Sequence, residues 1–165
     1  MQPTSVVCYT HPMKRTDQKS HCAVNFALES VGDSWSLLIV RDIAFNGKHT
    51  FHEFLASEER IARNILANRL AQLEHQGIVA RQPDPQDRRV GFYTLTDKGI
   101  DLIPVLLALS TWSAKYDPDT AANMEFGAIY LKDPLGITAM VQNAAREGRA
   151  AFAGEDSVIR ALRVR

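Results

Sequence analysis

The sequence is poor in three features that mark large classes of protein: cysteine, net charge and long hydrophobic runs. Its two cysteines, Cys8 and Cys22, are too few among 165 residues for a disulfide framework. Its 19 Lys and Arg residues balance 19 Asp and Glu residues, which excludes a uniformly basic nucleic-acid coat. The longest apolar runs, residues 37–40 and 103–109, fall far short of a bilayer span. Residues 1–22 lack the apolar core of a signal peptide, and we expect a cytoplasmic globular protein without a membrane partner.

The sequence also lacks the motifs of common enzymes. It contains no HExxH, no phosphate-binding loop, no GxSxG and no dinucleotide fingerprint. Cys8, His11, His21 and Cys22 are residue types that bind zinc, but their spacing does not match a closed zinc site. We therefore expect no catalytic residues, no cofactor and no metal.

Positive charge is concentrated in one segment of this neutral chain. From Arg60 to Lys98 there are seven Lys and Arg residues against four Asp and Glu residues. A local surplus of this kind is what contact with phosphate groups requires.

Two helices are predicted in the first third of the chain. The apolar pattern from Ala23 to Val31 is typical of a helix that Gly32 ends. A second helix, capped by Asp33 or Ser34, is predicted to run to residue 45, before an Asn-Gly turn.

A short helix, a polar turn and an amphipathic helix follow. Thr50 and Glu53 match a capping box, which predicts a helix over residues 51–57. Residues 58–60 are a polar turn, and a strong helical period begins at Ile61 and ends at Gly77. This arrangement is a helix-turn-helix unit.

A β-hairpin and a long apolar helix complete the pattern. Residues 78–81 and 91–95 are predicted strands around a charged loop over 83–89. Thr96 is predicted to cap a helix that continues to Tyr116, and Pro104 should kink that helix or shift its start.

The predicted fold class is mainly α with a small β-hairpin wing, a winged helix-turn-helix that dimerises through its terminal helices. We expect an arm over residues 1–21, the DNA-binding domain over 22–116 and a C-terminal extension over 117–165. Within the extension a helix is predicted from Pro134 to about Ala151, and the chain from Gly154 is predicted to be weakly held.

The second helix of the unit has two distinct faces. Its leucines lie on one side, and polar or small residues lie opposite and on the flank. Asn pairs with adenine and Arg with guanine in the major groove, so this face suits base contact, although a solvated face is the alternative.

The motifs GDSW, IARNILANRL and YTLTDKG, in this order over residues 22–112, resemble those of the HxlR-type winged helix-turn-helix regulators. The resemblance implies a sequence-specific transcription regulator, a repressor, that binds a palindromic operator as a homodimer. Family members carry an Arg where this chain has Thr50, and His49 or Lys48 is the expected substitute. The expected DNA-contacting residues are Thr50, Arg63, Asn64, Ala67, Asn68, Arg69, Arg88 and Arg89.

The last predicted helix of the DNA-binding domain is too apolar for a small monomer. Leu102, Leu106, Leu109 and Trp112 would form an exposed patch unless a second copy or residues 117–165 covered it. We expect a homodimer that uses this helix and the first one.

Two kinds of effector remain open. Cys22 precedes the first helix, where family members often have a cysteine that in some senses oxidants, and a small packing residue is the alternative. A small molecule bound in the cavity of the dimer, lined by Trp35, Phe54, Trp112 and Tyr116, is a second hypothesis. The alternative is that these aromatic residues belong to the core. A winged-helix interaction module that no longer binds DNA is the alternative function.

Overall fold

The computed structural model describes residues 19–84, 86–120 and 124–163. The chain divides into two compact units, residues 1–32 and residues 33–165. The described part of the first unit contains helix α1, Ala23–Val31, and Gly32 follows it as predicted. The domain boundaries expected at residues 21 and 116 stay predictions.

The second unit contains the helix-turn-helix and the hairpin in the predicted order. Its described elements are α2 (Ser36–Asn46), α3 (Phe51–Leu55), α4 (Arg63–His75), β1 (Val79–Pro83), β2 (Gly91–Leu95), α5 (Asp97–Ile100), α6 (Ile103–Tyr116), α7 (Met124–Lys132), α8 (Pro134–Arg146) and α9 (Val158–Arg163). The mainly α fold with a β-hairpin wing is therefore confirmed. No helix in the described ranges is long and apolar enough to cross a membrane.

The core of the second unit is built on the apolar face of α4. Leu66, Leu70 and Leu73 are at most 2% exposed, and Val40 of α2 is fully buried beside this core. Burying side chains of this size stabilises the fold by roughly 1.5–3 kcal/mol each. The polar residues between these leucines are left on the opposite side of the helix.

Helix α4 ends where the sequence predicted, at Gly77. Gly77 has φ +66°, and its N–H donates to the carbonyl of Glu74 at 2.9 Å. The N–H of Ile78 donates to the carbonyl of Leu73, also at 2.9 Å. These two bonds form a Schellman motif, which turns the chain directly from α4 into β1.

Strand β2 of the two-stranded wing makes backbone contacts on both of its edges. It pairs antiparallel with β1 in the register Val79↔Leu95 to Pro83↔Gly91. On its other edge it forms a bridge between Phe92 and Thr50, and Tyr93 N–H donates to the carbonyl of His49 at 2.7 Å. The wing is thereby fixed to the residues that begin α3.

The helix predicted from Thr96 to Tyr116 is two helices. Helix α5 ends at Ile100, and α6 begins three residues later with Pro104 in its first turn. Proline has no N–H to donate and is tolerated only in a first turn, so it shifts the start of the long helix. The Ile100 carbonyl instead accepts a bond from Gln142 Nε2 at 3.4 Å.

The C-terminal extension is more structured than the sequence predicted. Helix α7 was not predicted, and α8 begins at Pro134 as expected but ends at Arg146, short of Ala151. Asp133 caps α8 by accepting from the Gly136 N–H at 2.9 Å.

The prediction that the chain from Gly154 is weakly held is wrong. Val158 and Ile159 are 2% and 7% exposed. The preceding segment is tied to α2, since Ala151 N–H donates to the Ala44 carbonyl at 2.9 Å. Helix α9 is only six residues long, too short to give a periodic signal in the sequence.

A close backbone approach at Gly99 joins α5 to the end of α4. Thr96 Oγ1 donates to the Gly77 carbonyl at 2.6 Å and accepts from the Gly99 N–H at 3.2 Å. A Cβ atom on Gly99 would lie 2.2 Å from the carbonyl oxygen of Ile78. In the Thr-Asp-Lys-Gly sequence, Thr96 therefore caps α5, and Gly99 allows the close approach of the Ile78 backbone.

Replacing Gly99 by alanine should destabilise the protein, because the Ile78 backbone must move to admit the methyl group. We expect Gly99→Ala to lower the free energy of unfolding by about 2 kcal/mol, as measured by urea denaturation. Gly127→Ala in α7 is the matched control, since a Cβ there meets no atom within 4 Å. The free energy of unfolding of this control should be unchanged or raised by up to about 1 kcal/mol. Equal stabilities of the two variants would contradict this explanation.

Candidate nucleic-acid interface

A buried carboxylate, Asp42 of α2, lies behind the helix-turn-helix. Asp42 is 3% exposed. Ser57 Oγ donates to its Oδ2, and Asn46 Nδ2 donates to its Oδ1 at 2.9 Å. Arg41 Nη2 lies 2.7 Å from Oδ1, and Lys48 Nζ lies 3.4 Å from Oδ2. Both oxygens are satisfied, as the burial of a charge requires.

These contacts reach the turn between α3 and α4. Ser57 lies just after α3, and its hydroxyl also accepts from Lys48 Nζ at 2.7 Å. Arg41 forms a second ion pair with Glu59 in the same turn. We name Arg41, Asp42, Lys48, Ser57 and Glu59 the Asp42 anchor. It holds the turn of the helix-turn-helix against α2.

The anchor also determines the ionisation of Asp42. Burial by itself raises the pKa of this carboxyl group, because it disfavours the charged form. Hydrogen bonds from Ser57, Arg41 and Asn46 outweigh burial and hold the pKa below its ordinary value. Asp42 is therefore a stable anion at neutral pH.

The predicted capping box at the start of α3 is confirmed. Glu53 Oε2 accepts from the Thr50 N–H at 2.7 Å and from the His49 N–H at 2.9 Å. Thr50 Oγ1 accepts from the Glu53 N–H at 3.4 Å and donates to its carboxylate at 2.8 Å. The Thr50 side chain, expected at the DNA, is thus engaged in the cap.

The two residues expected to substitute for the missing arginine are also engaged inside the protein. Lys48 belongs to the Asp42 anchor. His49 stacks on Phe92 with ring centroids 4.5 Å apart, and its Nδ1 lies 2.9 Å from the Tyr93 carbonyl oxygen. These contacts give Lys48 and His49 structural roles that the sequence did not reveal.

Helix α4 presents an exposed polar face. Arg63, Asn64, Ala67 and Asn68 are all exposed, and they occupy the first half of the helix. Ala62 is the N-cap residue, and its methyl group cannot accept a hydrogen bond from the first-turn N–H groups. An uncapped helix start with polar side chains beside it can receive phosphate oxygens and base edges.

Contacts through α3 join the first turn of α4 to strand β2 of the wing. The Arg63 guanidinium carbon lies 5.6 Å from the ring centroid of Phe51, the first residue of α3. Thr50, one residue earlier, is bridged to Phe92 of β2. The two parts expected to contact DNA are therefore supported by one short helix.

Arg69 is directed away from this polar face. Its Nη1 lies 2.6 Å from Gln72 Oε1 and 3.4 Å from Asp33 Oδ2. The N-cap residue of α2 is Trp35, not Asp33 or Ser34 as predicted, but Asp33 Oδ1 accepts from the Trp35 and Ser36 N–H groups at 3.0 and 3.1 Å. Arg69 therefore links α4 to the start of α2 through the Asp of the GDSW motif.

The wing tip carries two exposed arginines. Arg89 is paired with Asp87 at 2.8 Å, and the proximity raises the pKa of the guanidinium and lowers that of the carboxyl. Arg88 is exposed and has no ion pair within the described chain. No hydrogen bond or ion pair joins either arginine to α4 among the described residues, and the wing is connected to α4 through α3 and strand β2.

The remaining predicted sites are separate from this surface. Cys22 is an exposed free thiol at the N-cap of α1, and its role as an oxidant sensor stays a prediction. Trp35 and Phe54 line a void of about 10 Å³, room for one water molecule at most. Trp112 and Tyr116 instead contact each other in a tilted arrangement with ring centroids 5.3 Å apart, and both are exposed. These four aromatic residues therefore do not form one cavity within the described chain.

The four Cys and His residues of zinc-binding type were not expected to form a metal site. Cys8 and His11 lie outside the described residues. Within the described ranges, no group of three or more His, Cys, Asp or Glu side chains could hold a metal ion.

The family model of HxlR-like helix-turn-helix proteins matches residues 30–121, which is more than half of the chain. The chain belongs to this family. The HxlR-like match covers α2 to α6, including the Asp42 anchor, the polar face of α4 and the wing. The protein is thus a transcription regulator with an HxlR-type DNA-binding helix-turn-helix, and α7 to α9 lie beyond the match.

Individual relatives agree with this assignment. An HTH-type transcriptional regulator of Methanothermobacter thermautotrophicus is 31% identical over 100 residues, 61% of this chain and 76% of that protein. The HTH-type transcriptional regulator YodB of Bacillus subtilis is 32% identical over 90 residues, 54% of this chain and 80% of that protein. A regulator of Mycobacterium bovis is 38% identical, but the match spans only 60% of its length.

One solved structure is similar to this chain in both fold and sequence. The crystal structure of PA1607, a candidate transcription factor, aligns with a TM-score of 0.57 at 40% sequence identity. The alignment covers 63% of this chain and 72% of PA1607.

Sequence reasoning missed the Asp42 anchor, although a signal for it is present. Arg41 and Asp42 interrupt the otherwise apolar stretch of α2 from Leu37 to Phe45. A charged pair inside an apolar helix is expected to have buried partners, because an unpaired buried charge is too costly. The partners themselves could not be named, since Ser57 lies 15 residues from Asp42 in the sequence.

Replacing Asp42 by asparagine should destabilise the fold and change its response to acid. At pH 7 we expect Asp42→Asn to lose about 3 kcal/mol of unfolding free energy, because Arg41 and Lys48 lose their buried partner. The folded-state pKa of Asp42 is below the ordinary 3.8, so its contribution is present above that pH and is lost as the pH falls through the folded value. The difference from wild type, measured by urea unfolding from pH 7 to pH 3, should shrink below pH 4.

Asp101→Asn is the control for this experiment, because Asp101 is an exposed acid outside the anchor. It should change stability by no more than about 0.5 kcal/mol at any pH in the series. A wild-type-like Asp42→Asn, or a difference independent of pH, would contradict the role given to the anchor.

Proposed function

We propose that the protein is a sequence-specific repressor that binds double-stranded DNA as a homodimer on a palindromic operator. The observation that carries this proposal is the exposed polar face of α4, with its uncapped first turn, held in place by the Asp42 anchor. Repression follows from such binding in the simplest way, because a dimer on the operator blocks access of other proteins to the same DNA.

Four residues of α4 are suited to base contact. Asn64 and Asn68 are one helical turn apart, and an Asn side chain pairs bidentately with adenine. Arg63 at the start of the helix can pair with guanine. Ala67 lies between the two asparagines, and its small side chain permits close approach to a thymine methyl group. Thr50 and Arg69 are not assigned to DNA, because the fold engages both side chains elsewhere.

The wing arginines are assigned to the phosphate backbone. Arg88 is free of ion pairs within the described chain, so its charge is available without loss of an internal contact. Arg89 must share its guanidinium with Asp87 or exchange that partner for a phosphate. Contacts of this kind position a protein on DNA without selecting a sequence.

The dimer is proposed to form through the exposed apolar side of α6. Val105, Leu109, Trp112 and Tyr116 recur at intervals of three or four positions and are between 43% and 63% exposed. We name them the α6 stripe. Helices α7 and α8 pack against the other side of α6, where Leu106 and Leu107 are buried, and the stripe stays exposed among the described residues. Pairing with a second copy would remove this apolar surface from water.

The first helix can contribute to the same assembly. Val24 and Leu28 of α1 are 65% and 60% exposed, although both are apolar. They lie four positions apart and so share a face of the helix. The proposed homodimer therefore uses α1 and α6, the two helices that flank the DNA-binding elements in the sequence.

An interaction module that no longer binds DNA is a second candidate. It is favoured by the neutral net charge and by the engagement of Lys48, His49 and Arg69 inside the fold. The two functions differ in what the α4 face contacts, and DNA binding by that face separates them.

Substitutions in α4 and in the wing should affect DNA binding differently. Selection from a random duplex pool first supplies a specific probe. We expect Asn64→Ala or Asn68→Ala to weaken binding to that probe about tenfold, in line with one lost base contact, and to leave binding to random duplex unchanged. Arg88→Ala should weaken binding to both DNAs and reduce the slope of log affinity against log salt by about one. Fluorescence anisotropy titrations at several salt concentrations measure both effects.

Arg160→Ala in α9 is the control, because it removes a positive charge from the extension. It should change neither affinity nor salt slope. Equal loss of specific and random binding in the α4 variants would contradict the assignment of that helix. Failure of the wild-type protein to select any DNA would favour the interaction module.

A charge placed in the α6 stripe should separate the dimer. Trp112 is 63% exposed, so Trp112→Lys is compatible with the monomer fold but buries a charge in the proposed interface. We expect wild type to sediment as a dimer and the variant as a monomer at the same concentration. Leu135→Lys in α8, at an apolar site that is 85% exposed, is the control and should stay dimeric. A dimeric Trp112→Lys, or a monomeric wild type, would exclude this interface.

A further inference from the structure

A cavity of about 420 Å³ lies between α6 and α7, on the side of α6 opposite the stripe. Leu107, Thr111 and Ala114 line it from α6, and Phe126 and Leu131 line it from α7. Its volume is within the range of small-molecule sites, roughly 300–1,000 Å³. By contrast, the void beside Trp35 holds about 10 Å³.

Three phenylalanines form an aromatic wall of this cavity. Phe152, in the segment after α8, makes edge contacts with Phe45 at 5.2 Å and with Phe126 at 4.9 Å between ring centroids. Phe45 and Phe126 are 4% and 5% exposed, so this wall is part of the packed interior. Such contacts use ring edges and faces in a fixed arrangement, which favours a flat aromatic guest that can add to the cluster.

The cavity lining has four polar side chains, Ser110, Thr111, Lys115 and Tyr130, among the described residues. Lys115 is the only charged side chain among the described residues that line it. Its Nζ lies 5.0 Å from the ring centroid of Tyr116 and has no carboxylate partner within the described chain. The Thr111 hydroxyl is already used, because it donates to the Leu107 carbonyl at 2.8 Å. An anionic group on the guest would find Lys115 unpaired.

We infer that this cavity binds a small aromatic molecule that carries one negative charge, with the ring against Phe45, Phe126 and Phe152 and the charge at Lys115. The site combines α6 of the HxlR-like domain with α7 and Phe152 of the extension, beyond residues 30–121. The stripe and the cavity lie on different sides of α6, and Lys115, whose Nζ lies 5.0 Å from the ring centroid of Tyr116, is at the border between them. This inference does not rest on DNA binding.

Two fluorescent probes that differ in one charged group test the inference. 8-Anilinonaphthalene-1-sulfonate is an aromatic anion, and N-phenyl-1-naphthylamine is the same ring system without the sulfonate. We expect the full-length protein to bind both in titrations followed by probe fluorescence. Lys115→Gln should weaken the sulfonate at least fivefold and leave the neutral probe within twofold.

A variant that fills the cavity tests where the probes bind. A Cβ on Gly127 meets no atom within 4 Å, so Gly127→Phe can place its ring in the open space. We expect it to weaken both probes at least tenfold and to retain the wild-type melting temperature. Ala114→Leu fills the same space from α6 and replaces Gly127→Phe if that variant unfolds. Ala139→Leu, on the exposed face of α8, is the matched control and should bind both probes as wild type does.

Three results would overturn the inference. The first is wild-type protein that binds neither probe. The second is unchanged probe binding by folded Gly127→Phe or Ala114→Leu, which would locate the probes elsewhere, such as on the α6 stripe. The third is equal loss of the charged and the neutral probe in Lys115→Gln, which would exclude a charge contact at that residue.

Discussion

The geometry of the helix-turn-helix depends on the hydrogen bonds and ion pairs of one ionised, buried carboxylate, that of Asp42. A charge in the core destabilises a fold unless its hydrogen bonds are nearly complete, and here Ser57, Arg41, Asn46 and Lys48 complete them. Because these partners come from α2, from the segment between α2 and α3 and from the turn after α3, the satisfied charge fixes that turn. The direction of α4, and hence the surface its asparagines present, follows from the fixed turn.

The wing is held in place by backbone contacts with the residues that begin α3 and end α4. The capping box that starts α3 also fixes residues 49 and 50, which pair with β2. The Schellman turn at Gly77 sends the chain from α4 into β1, and Thr96 and Gly99 close the hairpin against that turn. Helix α6 follows these elements and has two distinct sides. One side carries the exposed α6 stripe, and another lines the cavity between α6 and α7.

The sequence alone predicted those features of the fold whose causes are local in the chain. The box at Thr50 and Glu53, the end of α4 at Gly77 and the effect of Pro104 all depend on residues within one or two helical turns. It could not name partners that are distant along the chain, such as Asp33, which lies 36 positions from Arg69. Helix α9 has only six residues, too few for a periodic signal, and α7 contains Gly127, a residue that disfavours a helix interior.

The central claim is that two copies of this chain place α4 in successive major grooves and a wing beside each. Hydroxyl-radical footprinting of the protein on its selected DNA tests this claim most directly. The account predicts two protected segments of equal strength, related by a two-fold axis and centred about 10 base pairs, or a multiple of that, apart. Arg88→Ala should weaken the outer protection, where the wing meets the backbone. A single asymmetric footprint, or protection without a two-fold axis, would contradict it.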